Sequence, residues 1–306
     1  MTGVLIGFTI IAAIIGVGYV IGRVDLLGPH AQPIIARLVF FVLSPCLLFT
    51  VLADATVGQL FSPLLAVSLI AALVSFVLFG VVAVALWRRS LPEAVIGSLA
   101  SGYVNANNIG LPVAVYVLGD PAYSAPVILL QLLLFAPVAL AVLDAKTGGR
   151  ASLGQVLSQP LRNPILIGSA LGLALTLTDV ELPDAVMEPF RIIGGAAVPL
   201  MLISYGLSLN GQKILQPGSG RRDVLLASGL KLAVMPAVAA LVGHVGFGLT
   251  GQELFVVVAL AALPTAQNVF NYAQRYERGV ILARDTILIT TVGSLPVLMV
   301  VAAVLH

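Results

Sequence analysis

The chain is a series of long apolar stretches joined by short polar connections, and this one feature limits the folds open to it. A hydrocarbon core about 30 Å thick is crossed by about 20 helical residues. Ten stretches reach or approach that length: 2–22, 33–53, 62–87, 94–118, 124–144, 164–178, 190–209, 224–248, 252–274 and 280–305. The 306 residues are 59% hydrophobic and 9% charged, against about 25% charged in a soluble domain. Such a chain cannot cover a water-facing surface. In lipid every backbone group must find its partner inside the protein, and runs of this length do so as helices. The expected fold class is an all-α polytopic membrane protein of ten transmembrane helices, with residues 2–22 retained as the first span because no basic leader precedes them.

The basic residues give the orientation. Arg23 and Arg37 flank the first connection, Arg88 and Arg89 the third, Lys146, Arg150 and Arg162 the fifth, Lys213, Arg221 and Arg222 the seventh, and Arg275, Arg278 and Arg284 the ninth. Of the fifteen Lys and Arg residues, only Arg191 and Lys231 fall elsewhere. The sixth connection is acidic, with Asp179, Glu181, Asp184 and Glu188. Basic loops stay cytoplasmic, so odd connections are expected inside and both termini outside. The longest joint holds Gly148, Gly149, Ser152 and Gly154. It divides the chain into a first five-helix repeat (1–146), a cytoplasmic linker (147–163) and a second repeat (164–306). Five spans is an odd number, so the second repeat enters the membrane inverted. Pro45 and Pro199, Pro137 and Pro296, and Gly119 and Gly279 occupy corresponding places in the two halves.

Two spans look broken. Residues 100–112 of span four read Ala-Ser-Gly-Tyr-Val-Asn-Ala-Asn-Asn-Ile-Gly-Leu-Pro, and residues 263–272 of span nine read Leu-Pro-Thr-Ala-Gln-Asn-Val-Phe-Asn-Tyr. Proline removes a backbone donor, and buried amides need partners. Interrupted helices at matching positions of two halves point to a transport site. Each break exposes the N-terminus of a second half-helix, with free amides and partial positive charge. Two such ends suit an anion without any arginine. The candidate substrate-binding set is Asn105, Asn107, Asn108, Gly110, Pro112, Pro264, Gln267, Asn268 and Asn271. The rival reading makes these amides interhelical glue; six of them beside prolines in two symmetric spans favour the site.

The run from Asn105 to Pro112 followed by Gly119, Leu263-Pro264 followed by Ala273 and Tyr276, and Phe41-Val42 with Pro45 and Phe49 together resemble the auxin efflux carrier family along nearly the whole chain. Its bacterial members resemble malonate and malate permeases, and its plant members export the auxin anion. The resemblance implies a scaffold of helices 1, 2, 6 and 7 beside a transport domain of helices 3–5 and 8–10, with helices 4 and 9 broken and crossing. It implies an alternating-access, elevator- or rocking-type carrier of small organic anions, auxin-like or dicarboxylate, in the plasma membrane (the bacterial inner membrane), and a homodimer through the scaffold. Ser44, Pro45 and Pro199 would line the scaffold side. One departure is Val269, where plant members carry the crossover proline of helix nine.

Among the charges inside the spans, Lys231 and Asp285 need separate weighing. They can be read as a counter-charge and a coupling carboxylate. The preferred reading has Lys231 snorkelling to the interface or locked to Asp285 as a structural pair. A cation-coupled symporter or antiporter of the bile-acid-symporter-like fold is the alternative function, with ions held at unwound carbonyls, but the breaks carry no acidic residue. An intramembrane enzyme would need a nucleophile with a base, or metal ligands. Cys46 is the single cysteine, and His30, His244 and His306 are scattered. No enzyme activity, cofactor, metal or nucleic-acid partner is therefore expected; the partners are the anion and the bilayer.

Overall fold

The computed structural model describes residues 2–55, 62–147, 163–178, 180, 182–210 and 220–305. The joint around 148–162, Lys213 and the last residue, His306, lie outside the described residues. The described chain is helical, and ten helices follow the ten apolar stretches: α1 (Thr2–Arg23), α2 (Ala31–Ala53), α3 (Pro63–Leu86), α4, α5 (Pro121–Ala145), α6 (Pro164–Thr178), α7 (Asp184–Ser208), α8 (Arg221–Gly246), α9 and α10 (Val280–Leu305). Both α4 and α9 are interrupted. The first is split into Leu91–Gly102 and Ala106–Leu118, the second into Gly251–Ala261 and Gln267–Tyr276. Among the described residues, six helices are long and apolar enough to cross a bilayer, and Thr9–Arg23, Ala106–Leu118, Pro164–Thr178 and Gly251–Ala261 are shorter apolar helices.

Proline sets several helix starts. Pro63, Pro92, Pro121 and Pro164 sit in first turns, where a missing N–H costs nothing. The start of α4 is also fixed by Glu93, whose Oε2 accepts from the Ser90 N–H at 3.2 Å and its hydroxyl at 2.7 Å, closing a capping box. One boundary departs from the apolar count. The seventh helix begins at Asp184, not at 190, because its first turns are amphipathic and too polar to read as a span. Asp184 and Glu188 therefore belong to the helix, which has a turn at Ala196 between its two segments.

Packing joins the first five helices to the last five. Helix α1 lies along α7, and α2 lies along α6. Both contacts rest on glycine. A Cβ on Gly206 would sit 2.1 Å from the Ile15 carbonyl oxygen, and one on Gly168 would sit 2.5 Å from that of Pro45. Small residues let backbones meet where lipid gives no hydrophobic drive. Helix α3 packs on α4 and α8, and α10 on α8 and α9. The first half of α9 is enclosed on all sides, with every residue from Leu254 to Ala261 buried, as a uniformly apolar helix must be. Outward-facing Val77, Val81, Val84, Leu241, Val292 and Val300 are exposed and form a lipid-compatible belt.

Contacts among the connections sort by parity. Arg89, between α3 and α4, binds Asp223 of α8 through two hydrogen bonds of 2.7 and 3.1 Å. Arg275, ending α9, lies 3.9 Å from Asp144 of α5. Arg191 of α7 lies 3.7 Å from Asp54, just after α2, and Gln252 of α9 donates to the Leu118 carbonyl ending α4 at 3.5 Å.

Candidate functional site

The two interruptions meet. Val104 and Thr265 form an antiparallel bridge, in which the Asn105 N–H donates to the Pro264 carbonyl at 2.8 Å and the Ala266 N–H to the Tyr103 carbonyl at 2.9 Å. Broken backbone survives in a membrane only when its groups are re-satisfied, and here much of that is done across the crossing. The Val104 carbonyl accepts from Gln131 Nε2 at 2.8 Å. The Thr265 hydroxyl donates to the Ala100 carbonyl at 2.6 Å, and its N–H donates to Thr290 Oγ1 at 3.1 Å. Pro264 sits within this extended stretch, so the second break falls there. Val269 lies five residues on, in the first turn of the second half, where its N–H donates to the Ala266 carbonyl at 3.1 Å.

Three wide π-turns carry polar groups to the crossing. Ala106–Gly110 holds Asn107 and Asn108, Gln131–Phe135 holds Gln131, and Leu230–Val234 holds Lys231; such turns recur at functional sites. The two half-helix starts, expected to be equivalent, differ. Asn105 Oδ1 caps the second half of α4, accepting from the Asn108 N–H at 3.2 Å. The second half of α9 starts at Gln267 behind Ala266, an N-cap with no capping side chain, so the Gln267 and Asn268 amides keep their donors.

In front of the crossing lies a cavity of about 520 Å³. Asn105, Asn107, Asn108, Gln267, Asn268 and Asn271 all line it, as do Tyr103, Gln131 and Tyr272. Residues of α2 and α7, among them Phe40, Met201 and Tyr205, form the opposite wall. Asn107 Nδ2 reaches Ser44 Oγ at 3.4 Å and Asn108 Oδ1 at 2.9 Å. The Asn107 Oδ1 is buried without a partner, leaving one acceptor for a ligand donor or water. Gly110, Pro112, Pro264, Ser44, Pro45 and Pro199 are not lining residues. Gly110 packs under Leu263 and Ser124, and Pro45 offers its carbonyl face to Gly168. They shape the crossing and the α2–α6 contact.

Among the lining residues that the sequence reading missed, which include Tyr103, Gln131 and Tyr272, two are arginines it assigned only to loops. Arg37 and Arg275 are the only charged groups among the described lining residues. Arg275 is half exposed, lies over the Tyr276 ring at 5.2 Å, and has Asp144 behind it. Tyr276 in turn donates to Asp144 Oδ1 at 2.6 Å. A signal existed: Asn268, Asn271 and Arg275 are spaced three and four apart, one stripe of a helix.

The charges inside the spans correct the sequence expectation. Lys231 does not snorkel; it is fully buried. Its ammonium donates to the Ala261 carbonyl at 2.6 Å and to Met235 Sδ at 3.3 Å. Asp285, also fully buried, is engaged by Arg284 at 2.7 and 2.8 Å. Neither residue lines the cavity.

A helical bundle with crossed, interrupted helices and a polar cavity at their crossing defines a multi-pass membrane transporter. The particular family follows from comparison: the "membrane transport protein" family model matches residues 4–149 and 146–302, and the chain belongs to this family, that of the auxin efflux carriers. It is 28% identical over 285 residues to an "Uncharacterized transporter" of Methanothermobacter thermautotrophicus, covering 91% of this chain and 90% of that one. It is 26% identical over 302 residues to the "Putative malonate transporter" of Rhizobium meliloti, covering 96% and 92%. "Auxin efflux carrier component 1" of Arabidopsis thaliana is 30% identical over 122 residues, 38% of this chain and 19% of that protein.

Proposed function

We propose that the protein carries small organic carboxylate anions across the plasma membrane by alternating access, with the site at the crossing of α4 and α9. The observation that carries this reading is the cavity lining: two arginines, no carboxylate among the described residues, and an uncapped helix start facing amide side chains. A guanidinium and free helix-terminal amides both favour a carboxylate. A cation would meet the wrong end of both dipoles. The name of the Rhizobium relative makes malonate the first compound to try.

The two halves act as an inverted five-plus-five repeat in this proposal. Exchanging the halves turns the α1–α7 contact into the α6–α2 contact, and the α4–α9 crossing into itself. Odd connections touch odd ones and even touch even, which supports the two sets lying on opposite sides; the basic residues of the odd set favour that side as the cytoplasmic one, with the termini outside. Helices α1, α2, α6 and α7 serve as scaffold, and homodimerise through their outer faces; α3–α5 and α8–α10 move as the transport unit, by an elevator or rocking step. Arg37 and Arg275 belong to basic, odd-numbered connections, so the cavity faces the cytoplasm.

The test is binding to the purified protein by calorimetry, comparing malonate with malonamide. Malonate binds and the diamide does not. Equal affinity would remove the anion site and leave the family resemblance as one of fold.

A further inference from the structure

The crossing has a rear side that the anion site does not use. The first half of α9 ends at Ala261, and its last carbonyls lack helical partners and carry partial negative charge. The Ala262 N–H takes the Val258 and Ala259 carbonyls, at 2.9 and 3.2 Å, and the Leu263 N–H takes that of Leu260 at 3.4 Å. The Ala261 carbonyl is taken by Lys231 Nζ at 2.6 Å, in a fully buried setting. Among the described residues no carboxylate lies within ion-pair distance of this ammonium, so its charge is set against the helix end. The corresponding end of α4 is treated differently: the Ala100 carbonyl is capped by the neutral Thr265 hydroxyl.

We propose that Lys231 is a tethered cation, its ammonium standing at the unwound carbonyl of α9 where a dissolved coupling ion would otherwise sit, so that the crossing is set without sodium. Lys231 is then a positioning residue. It holds the end of the first half of α9, and through the three residues that follow it holds the Thr265 bridge, without touching the transported molecule. The inference rests on the transporter reading and not on the identity of the substrate, so its test uses no substrate.

The full-length protein in detergent is melted in choline, sodium and methylammonium chloride. The wild-type midpoint is the same in sodium and choline. Lys231→Ala opens a space beside a bare carbonyl; its midpoint falls in choline by about 2–10 °C and recovers by at least half with methylammonium or sodium, which bind only the folded state. Lys231→Met fills the space without a donor, falls similarly and answers to no cation. A saturable rise of the wild-type midpoint with sodium overturns the proposal. So does a Lys231→Met protein as stable as wild type, or a folded Lys231→Ala protein indifferent to cations. If Lys231→Ala does not fold, the wild-type and Lys231→Met arms decide.

Discussion

Asn105 does two separable things, and substitution pulls them apart. Its backbone belongs to the bridge with Pro264, which any residue can make; its side chain caps the second half of α4 at 3.2 Å. Asn105→Ala keeps the bridge and loses the cap, at a cost of about 0.5–2 kcal/mol, or roughly 1–8 °C in a protein of this size. Asn105→Asp keeps an acceptor for the cap and adds a negative charge at a positive helix end, so stability holds. For a bound carboxylate the order reverses. At an effective dielectric of about 20, two unit charges about 6 Å apart repel by about 3 kcal/mol, about 100-fold in Kd. Asn105→Asp is therefore stable and does not bind, whereas Asn105→Ala is less stable and binds malonate weakly. The assay pairs thermal unfolding with malonate titration on the same preparations. An Asn105→Asp protein that binds malonate as wild type does would refute the placement of the anion at this helix end.

Arg275→Gln weakens malonate binding about 3–10-fold, a modest loss because a half-exposed guanidinium is screened; titration at rising salt should show the difference shrinking. Gly206→Ala pushes a methyl group toward the Ile15 carbonyl and costs about 1–3 kcal/mol, read as a lower unfolding midpoint with malonate affinity unchanged. Thr265→Val keeps the shape but leaves the Ala100 carbonyl bare, costing about 1–3 kcal/mol, again by thermal unfolding. A reporter enzyme active only in the cytoplasm, fused after His306, stays silent; strong activity reverses the proposed topology.

What could be read from the sequence follows from the range of each interaction. Helix positions come from local hydropathy, and nine of the ten starts lie close to where the apolar runs begin; α7 is the exception because amphipathic turns around Asp184 and Arg191 precede its apolar part. The breaks were legible because Asn, Gly and Pro are locally expensive in a lipid-buried helix. Their pairing was not, since Thr265 and Ala100 stand 165 residues apart and nothing local records which strand meets which. Arg275 was visible only as a loop charge until the helical stripe through Asn268 and Asn271 was traced. Lys231 misled for a related reason. A lysine in a span suggests a carboxylate partner or the interface, and its actual partner is a main-chain carbonyl, which no side-chain pattern advertises.

The short bridge between Val104 and Thr265 also bears on how the chain is made. The first break is synthesised long before the strand that completes it, so until Pro264 and Ala266 emerge the Asn105 N–H and the Tyr103 carbonyl have no lasting partner in lipid. The early half must wait in a hydrated or protein-lined environment, and it cannot settle alone. Two separately expressed halves, cut within the joint at 148–162, should accumulate only when produced together, each acting as the folding template of the other.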